Sequence, residues 1–209
     1  MKTKFLSVAM AAVMGLVCLT GCSGNFTKNA FINAAKKNGM KELDGDRTLN
    51  EIMRDQEGSD SVYYIENDQR LMQIEIRDYA PEAEVKVLVK AVETIGKSDD
   101  HKSCLTLVYF ITFEDSENAK KTYKQLIKRY EDPENGEKDG VTYSINYLGP
   151  DDRPNPDGKI TGDIAYGVYL KDDTIIWIRS YYDSALENDC VEDFCKSLGL
   201  VSPYTLKEN

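Results

Sequence analysis

The chain has 209 residues, 36 of them Asp or Glu against 26 Lys or Arg, for a formal charge of −10. That balance argues against nucleic acid as a partner, because phosphate binding depends on clustered Lys and Arg and here they are interleaved with acidic residues. It equally disfavours electrostatic adhesion to anionic lipid, and the length suits one domain with a sizeable core.

Lys2 and Lys4 precede a run, Phe5 to Leu19, that is apolar or small apart from Ser7. The run is too short for a bilayer core needing about 20 residues, but it has the length of the apolar region of an export signal. It ends in Leu19-Thr20-Gly21-Cys22, followed by the polar, flexible Ser23-Gly24-Asn25. This segment resembles the lipobox of bacterial lipoproteins. The resemblance implies that a signal peptidase recognises Leu19, Thr20 and Gly21 and cuts before Cys22. The sulfur of Cys22 then carries a thioether-linked diacylglycerol, so membrane lipid is the first expected partner. Two or three acyl chains, at about 0.8 kcal/mol per buried methylene, hold a domain stably at a surface that one chain holds only marginally. The competing reading, an ordinary secretory signal with an incidental cysteine, requires basic residues, apolar run, small residues and cysteine to fall in that order by chance. Cys18 lacks a small residue before it and leaves with the signal. The expected organisation is a signal peptide at 1–21, a lipidated tether at 22–26 and a single α+β extracytoplasmic domain at 27–209, anchored to the cell membrane without entering it. Loss of Lys2 and Lys4 makes the mature chain two charges more negative.

Within the domain, Thr27 is placed to cap a helix containing Ala30, Phe31, Ala34 and Ala35, with Phe26 and Phe31 spaced as a hydrophobic staple and Gly39 placed to end it. Residues 44–58 are polar, with a short helix around Leu49 to Met53. Ser61 to Glu66 and Leu71 to Arg77 alternate as the strands of a hairpin turning at Asn67-Asp68-Gln69. Pro81 opens a predicted helix with Val85, Leu88, Val92 and Ile95 on one face, although Val85-Lys86-Val87 also alternates as a strand would. Cys104 to Phe113 is the most apolar run after the signal, and its β-branched and aromatic content predicts a central strand. Asp115 caps the next helix, whose Ala119, Tyr123, Leu126, Ile127 and Tyr130 recur at helical spacing. A polar turn around Pro133 to Gly140 leads to a strand at Val141 to Leu148, then a Pro- and Asp-rich loop, Gly149 to Gly158. Two more strands, Gly162 to Leu170 and Thr174 to Arg179, form a hairpin through Lys171-Asp172-Asp173. The last helix, Ser184 to Leu198, buries Leu186, Cys190, Val191, Phe194, Cys195 and Leu198 and stops at Gly199. The sum is an α+β fold, a mainly antiparallel sheet with three to four helices packed on it.

Three cysteines remain besides Cys22. Five residues along one helix separate Cys190 from Cys195 by about 8 Å between α-carbons, beyond disulfide reach. Either could still pair with Cys104, but the commoner role of such residues is that of buried thiols acting as small hydrophobes. No Cys/His cluster suggests zinc, and no cofactor motif is present. His101 is the only histidine and sits in the polar stretch Ser98 to Ser103, where a solvated loop residue is the simpler reading than a triad member. Asp151, Asp152, Asn155 and Asp157 offer hard oxygen ligands. Calcium in EF-hand order fails, however, because Arg153 falls at the first position and Ile164 at the last. Tyr63, Tyr64, Tyr143, Tyr147, Tyr166, Tyr169, Tyr181 and Tyr182 suit either the wet edge of a sheet or a recognition face.

The strand-helix unit from Phe110 to Tyr130 and the closing hairpin and helix ending Ser197-Leu198-Gly199-Leu200 are similar to small Gram-positive surface lipoproteins of unassigned activity. That resemblance implies helices on an antiparallel sheet and no activity to transfer. The leading expectation is therefore a non-catalytic domain that binds an envelope protein or cell-wall component through part of its sheet or the Gly149 to Gly158 loop. The alternatives are a surface hydrolase working with carboxylates alone and a small-molecule-binding lipoprotein.

Overall fold

The structure is a computed structural model and describes residues 26–43, 59–79, 83–97, 102–149, 162–183 and 190–208. Its strands are β1 (Lys41–Glu42), β2 (Ser59–Glu66), β3 (Val85–Lys97), β4 (Lys102–Phe113), β5 (Glu134–Lys138), β6 (Val141–Leu148), β7 (Gly162–Lys171) and β8 (Thr174–Asp183). Its helices are α1 (Lys28–Lys37), α2 (Gln69–Arg77), α3 (Ser116–Ile127) and α4 (Cys190–Leu198), followed by a 3₁₀ turn at Pro203–Glu208. The strands form one sheet in the order β1-β2-β3-β4-β8-β7-β6-β5. Every neighbouring pair is antiparallel except β1 with β2, so the fold is the expected α+β arrangement.

Both faces of the sheet are covered. On one, Phe31, Ala34 and Ala35 of α1 and Val191, Phe194 and Leu198 of α4 pack on Val89, Val108, Phe110, Ile176 and Ile178. On the other, Met72 and Ile76 of α2 and Ala119, Tyr123 and Leu126 of α3 pack on Leu88, Val92, Tyr109, Ile111, Ile175 and Trp177. Strand β8 shows why its apolar run is continuous: Ile176 and Ile178 serve the first face, Ile175 and Trp177 the second, as period-two geometry requires of a doubly covered strand.

Helix α1 is capped as expected, the Thr27 hydroxyl accepting from the Ala30 amide at 3.2 Å, and the chain leaves it through Gly39 at φ +75°. Asp115 caps α3 by accepting from the amides of Glu117 and Asn118 at 2.9 and 2.8 Å. Cys190 and Cys195 are buried thiols on the inner face of α4, whereas the Cys104 side chain lies outside the described residues.

Three expectations are corrected. Leu71 to Arg77 is not a strand but most of α2. The Asp68 carboxylate accepts from the Arg70 and Leu71 amides, and Met72 and Ile76 bury as an i, i+4 pair while Leu71 and Ile74 stay exposed. Val85 to Ile95 is not a helix but most of β3. Its buried residues run without a break from Leu88 to Glu93, because a strand covered on both faces buries neighbours of either parity, and Val85, Leu88 and Val92 share the α2/α3 face because a bulge between Val85 and Val87 adds an offset. The polar stretch after Pro133 is not a plain turn. It holds β5, joined to β6 by Asp139-Gly140 at φ +53° and +74°, the left-handed pair that a tight hairpin requires. The helix near Leu49 and the first residues of the last helix lie outside the described residues.

The sheet's two margins are short or charged. Strand β1 has two residues, Lys41 and Glu42, both exposed, and β5 reads Glu-Asn-Gly-Glu-Lys with all four of its side chains exposed.

Candidate functional site

On the α2/α3 face, cross-strand register builds a site from residues far apart in sequence. Asn146 of β6 stands opposite Tyr166 of β7, and Tyr166 opposite Arg179 of β8. One step along the same face, Trp177 lies beside Tyr109 of β4. The side chains of this row rise toward the C-terminal ends of the two helices. Tyr79 follows α2, its amide donating to the Ile76 carbonyl, and Arg129, Tyr130 and Glu131 follow α3. The Arg129 guanidinium donates to the Asp78 carbonyl, which ties the end of α3 to the end of α2. Between helix ends and sheet lies a cavity of about 340 Å³ lined by Tyr79, Arg129, Tyr130, Glu131, Asn146, Leu148, Tyr166, Trp177 and Arg179.

Aromatic rings fix the walls. Trp177 stacks on Tyr109 with centroids 5.0 Å apart and meets Tyr79 edge-on at 4.7 Å, while Tyr130 stacks on Tyr166 at 4.6 Å. The Trp177 indole N–H donates to the Tyr130 hydroxyl at 2.8 Å. Burial pushes the Tyr130 phenol up to about 12, and it raises Tyr166 and Tyr109 as well, so these hydroxyls stay protonated and act as neutral donors and acceptors.

Arg179 stands in the middle of the rings. Its Nη1 donates to the Tyr79 hydroxyl at 2.9 Å and its Nη2 to the Tyr181 hydroxyl at 3.0 Å, and its guanidinium carbon lies 5.2 Å from the Trp177 ring centre. Burial works against the charge of Arg179, but the oxygens of Tyr181 and Tyr79 outweigh it and hold the group firmly cationic. Arg129 covers Tyr79 from outside, 4.2 Å from the ring centre, so two guanidinium groups share one aromatic ring. No carboxylate pairs with either arginine among the described residues. The buried acid-base pair on this face is elsewhere: Lys90 meets Glu75 at 2.8 Å and lies 4.9 Å from the Tyr109 ring centre.

Asn146 completes the site. It is 6 % exposed, its amide nitrogen donates to the Glu131 carbonyl, and its Oδ1 has no hydrogen-bond partner among the described residues. A buried acceptor left unmade costs about 1–3 kcal/mol, and this one belongs to a residue of the cavity lining.

The residues singled out from sequence are distributed otherwise. Leu19, Thr20, Gly21 and Cys22, His101, and the acidic positions from Asp151 to Asp157 all lie outside the described residues. Tyr143 and Tyr147 share a face, as their spacing requires, but it is the α1/α4 face, where both are half-buried and Tyr147 packs edge-on to Tyr204 at 5.7 Å. Tyr166 and Tyr181 do belong to the aromatic wall, their hydroxyls 3.3 Å apart. Arg129, Arg179, Asn146, Tyr79 and Trp177 were not anticipated. One signal was available: Arg179 is the only charge between Thr174 and Tyr182, a run otherwise apolar, aromatic or hydroxylated. Among the described residues no group of acidic, Cys or His side chains could hold a metal ion, and no helix is long and apolar enough to cross a membrane. No known protein family matches the chain, and no curated protein is detectably similar to it.

Proposed function

We propose that this protein is a lipid-anchored extracytoplasmic binding domain, held at the membrane by acylated Cys22 and engaging its ligand in the pocket between β6–β8 and the ends of α2 and α3. The observation that carries the binding half is the lining itself: two arginines without carboxylate partners, stacked rings, and a buried amide oxygen awaiting a donor. Such groups hold and orient a ligand. Hydrolysis by carboxylates alone needs two of them flanking the reacting bond, and the described lining contributes one, Glu131. The anchor rests on the order of Lys2, Lys4, apolar run, Leu19-Thr20-Gly21 and Cys22. A cavity of about 340 Å³ lies at the small end of ligand pockets, which favours a small envelope component over a folded partner as occupant.

Two measurements test this reading. Metabolic labelling with a fatty-acid analogue should mark the wild-type chain and leave Cys22→Ala unmarked; equal labelling of both removes the anchor. The purified Cys22→Ala domain, incubated with cell-wall glycan and peptide, should leave them intact, and sustained turnover would replace binding with catalysis.

A further inference from the structure

The chemistry of the pocket's occupant is encoded in how its polar groups are spaced and which remain unused. A guanidinium carries five N–H donors, and Arg179 commits two, to Tyr79 and Tyr181. Three are left without a protein acceptor among the described residues, in a half-buried setting where hydrogen bonds to an anion are worth more than in water. Asn146 Oδ1 is the complementary case, a buried acceptor with no donor. Asn146 and Arg179 are in register two strands apart, with Tyr166 between them. Their backbones are therefore about 10 Å apart, the span of a ring with a substituent at each end. The surface along that span is aromatic, from Tyr130, Tyr166 and Trp177. The charges of the lining, Arg129, Arg179 and Glu131, leave a single net positive charge. In a chain of formal charge −10, that balance suits a monoanion and works against a phosphate dianion.

We infer that the pocket binds a small ring-bearing monocarboxylate with at least one N–H or O–H donor, its carboxylate on the Arg179 fork and its donor on Asn146 Oδ1. This rests on the binding-domain reading above and goes further by naming the ligand class. The same chemistry is offered by a free aromatic acid and by the C-terminal residue of a peptide, so both are probed.

Trp177 is the chain's only tryptophan and lies in the pocket wall, so its fluorescence reports occupancy directly. The full-length Cys22→Ala protein is titrated with 4-hydroxyphenylacetate, for the free acid, and with N-acetylphenylalanine, for the peptide terminus. The methyl ester of each serves as the neutral control. Saturable fluorescence change with at least one acid at concentrations below about 10 mM, and at least about tenfold weaker binding of its ester, is the expected result. Arg179→Gln should weaken that acid by about tenfold to a hundredfold, with an unchanged circular dichroism spectrum. Because Arg179→Gln could disturb folding, Glu131→Gln supplies a second handle at an exposed side chain. Removing the one negative charge should tighten the acid about two- to fivefold, as expected of an exposed charge. No response to either acid, an ester that binds as tightly as its acid, or a Glu131→Gln variant that binds no better overturns the inference. An ester that binds equally leaves a binding pocket standing without the carboxylate class, whereas failure of lipid labelling on Cys22 removes the anchor and leaves the ligand class untouched.

Discussion

The two faces of this sheet are built from the same strands but solve different problems. The α1/α4 face is packed mainly by aliphatic and aromatic side chains, with Phe31 meeting Phe110 at 5.8 Å and Phe194 at 5.6 Å and with Tyr63 and Tyr169 buried beside them. The α2/α3 face mixes aliphatic packing under α3 with Lys90, Arg179, Asn146 and a continuous aromatic wall. On the α2/α3 face the charged groups near the core are held in place by rings, Lys90 against Tyr109 and Arg179 against Trp177 and Tyr79. The second face thus gives up some apolar burial to keep charged and polar groups near the core.

The largest effect should come from the apolar face. Phe194→Ala removes a fully buried ring between α1 and the sheet and should destabilise the fold by about 3–5 kcal/mol, read by urea denaturation. Trp177 fluorescence of the still-folded protein should be unchanged, and a shifted spectrum would show that the faces are coupled. On the other face the Lys90–Glu75 pair replaces apolar packing. Glu75→Gln strands a buried ammonium, whose pKa is already lowered by burial and raised only partly by Glu75, and should cost roughly 2 kcal/mol because Glu75 retains some solvent contact. The double variant Glu75→Leu with Lys90→Met should regain most of that loss, and failure to do so would show that the pair is more than a substitute for packing. Tyr130→Phe deletes the acceptor of the Trp177 indole and should cost about 1 kcal/mol while shifting tryptophan emission. An unmoved spectrum would break the assignment of Tyr130 to the pocket wall.

The smallest effect concerns Glu93, a buried acid on the α1/α4 face. Burial holds its carboxyl above the usual range against hydrogen bonds from the Cys190 side chain and backbone, and one of its oxygens is without a partner. The folded chain thus binds this proton more tightly than the unfolded chain. The resulting stability is complete below the ordinary carboxylate range and is lost as pH rises through the raised folded value. Glu93→Gln should flatten that slope and make the fold relatively more stable at neutral pH, measured by thermal melts across pH.

Elements specified by local chemistry were legible in the sequence. Thr27 and Asp115 announced their helices because a cap is a contact between near neighbours, and the run from Cys104 to Phe113 announced a central strand by its length and its β-branched and aromatic content. The confusion at β3 arises because a strand covered on both faces buries residues at helical as well as alternating spacing. At α2, Met72, Ile74 and Ile76 mimic a strand's alternation, and only the Asp68 cap distinguishes the helix. The pocket was hidden for a different reason. Asn146, Tyr166 and Arg179 become neighbours only through the strand order β8-β7-β6, and Tyr79 and Arg129 meet only because two helices end together. Pairing order is a property of the whole sheet, and no local window contains it.

The abbreviated, charge-bearing rims of the sheet have a consequence for crowding. Open strand margins invite neighbouring molecules to zip on, and Lys41-Glu42 at one rim and Glu134, Glu137 and Lys138 at the other leave little backbone for a second molecule to extend. Copies of this chain held close together should therefore remain individually dispersed, each with its aromatic cleft open to whatever diffuses past.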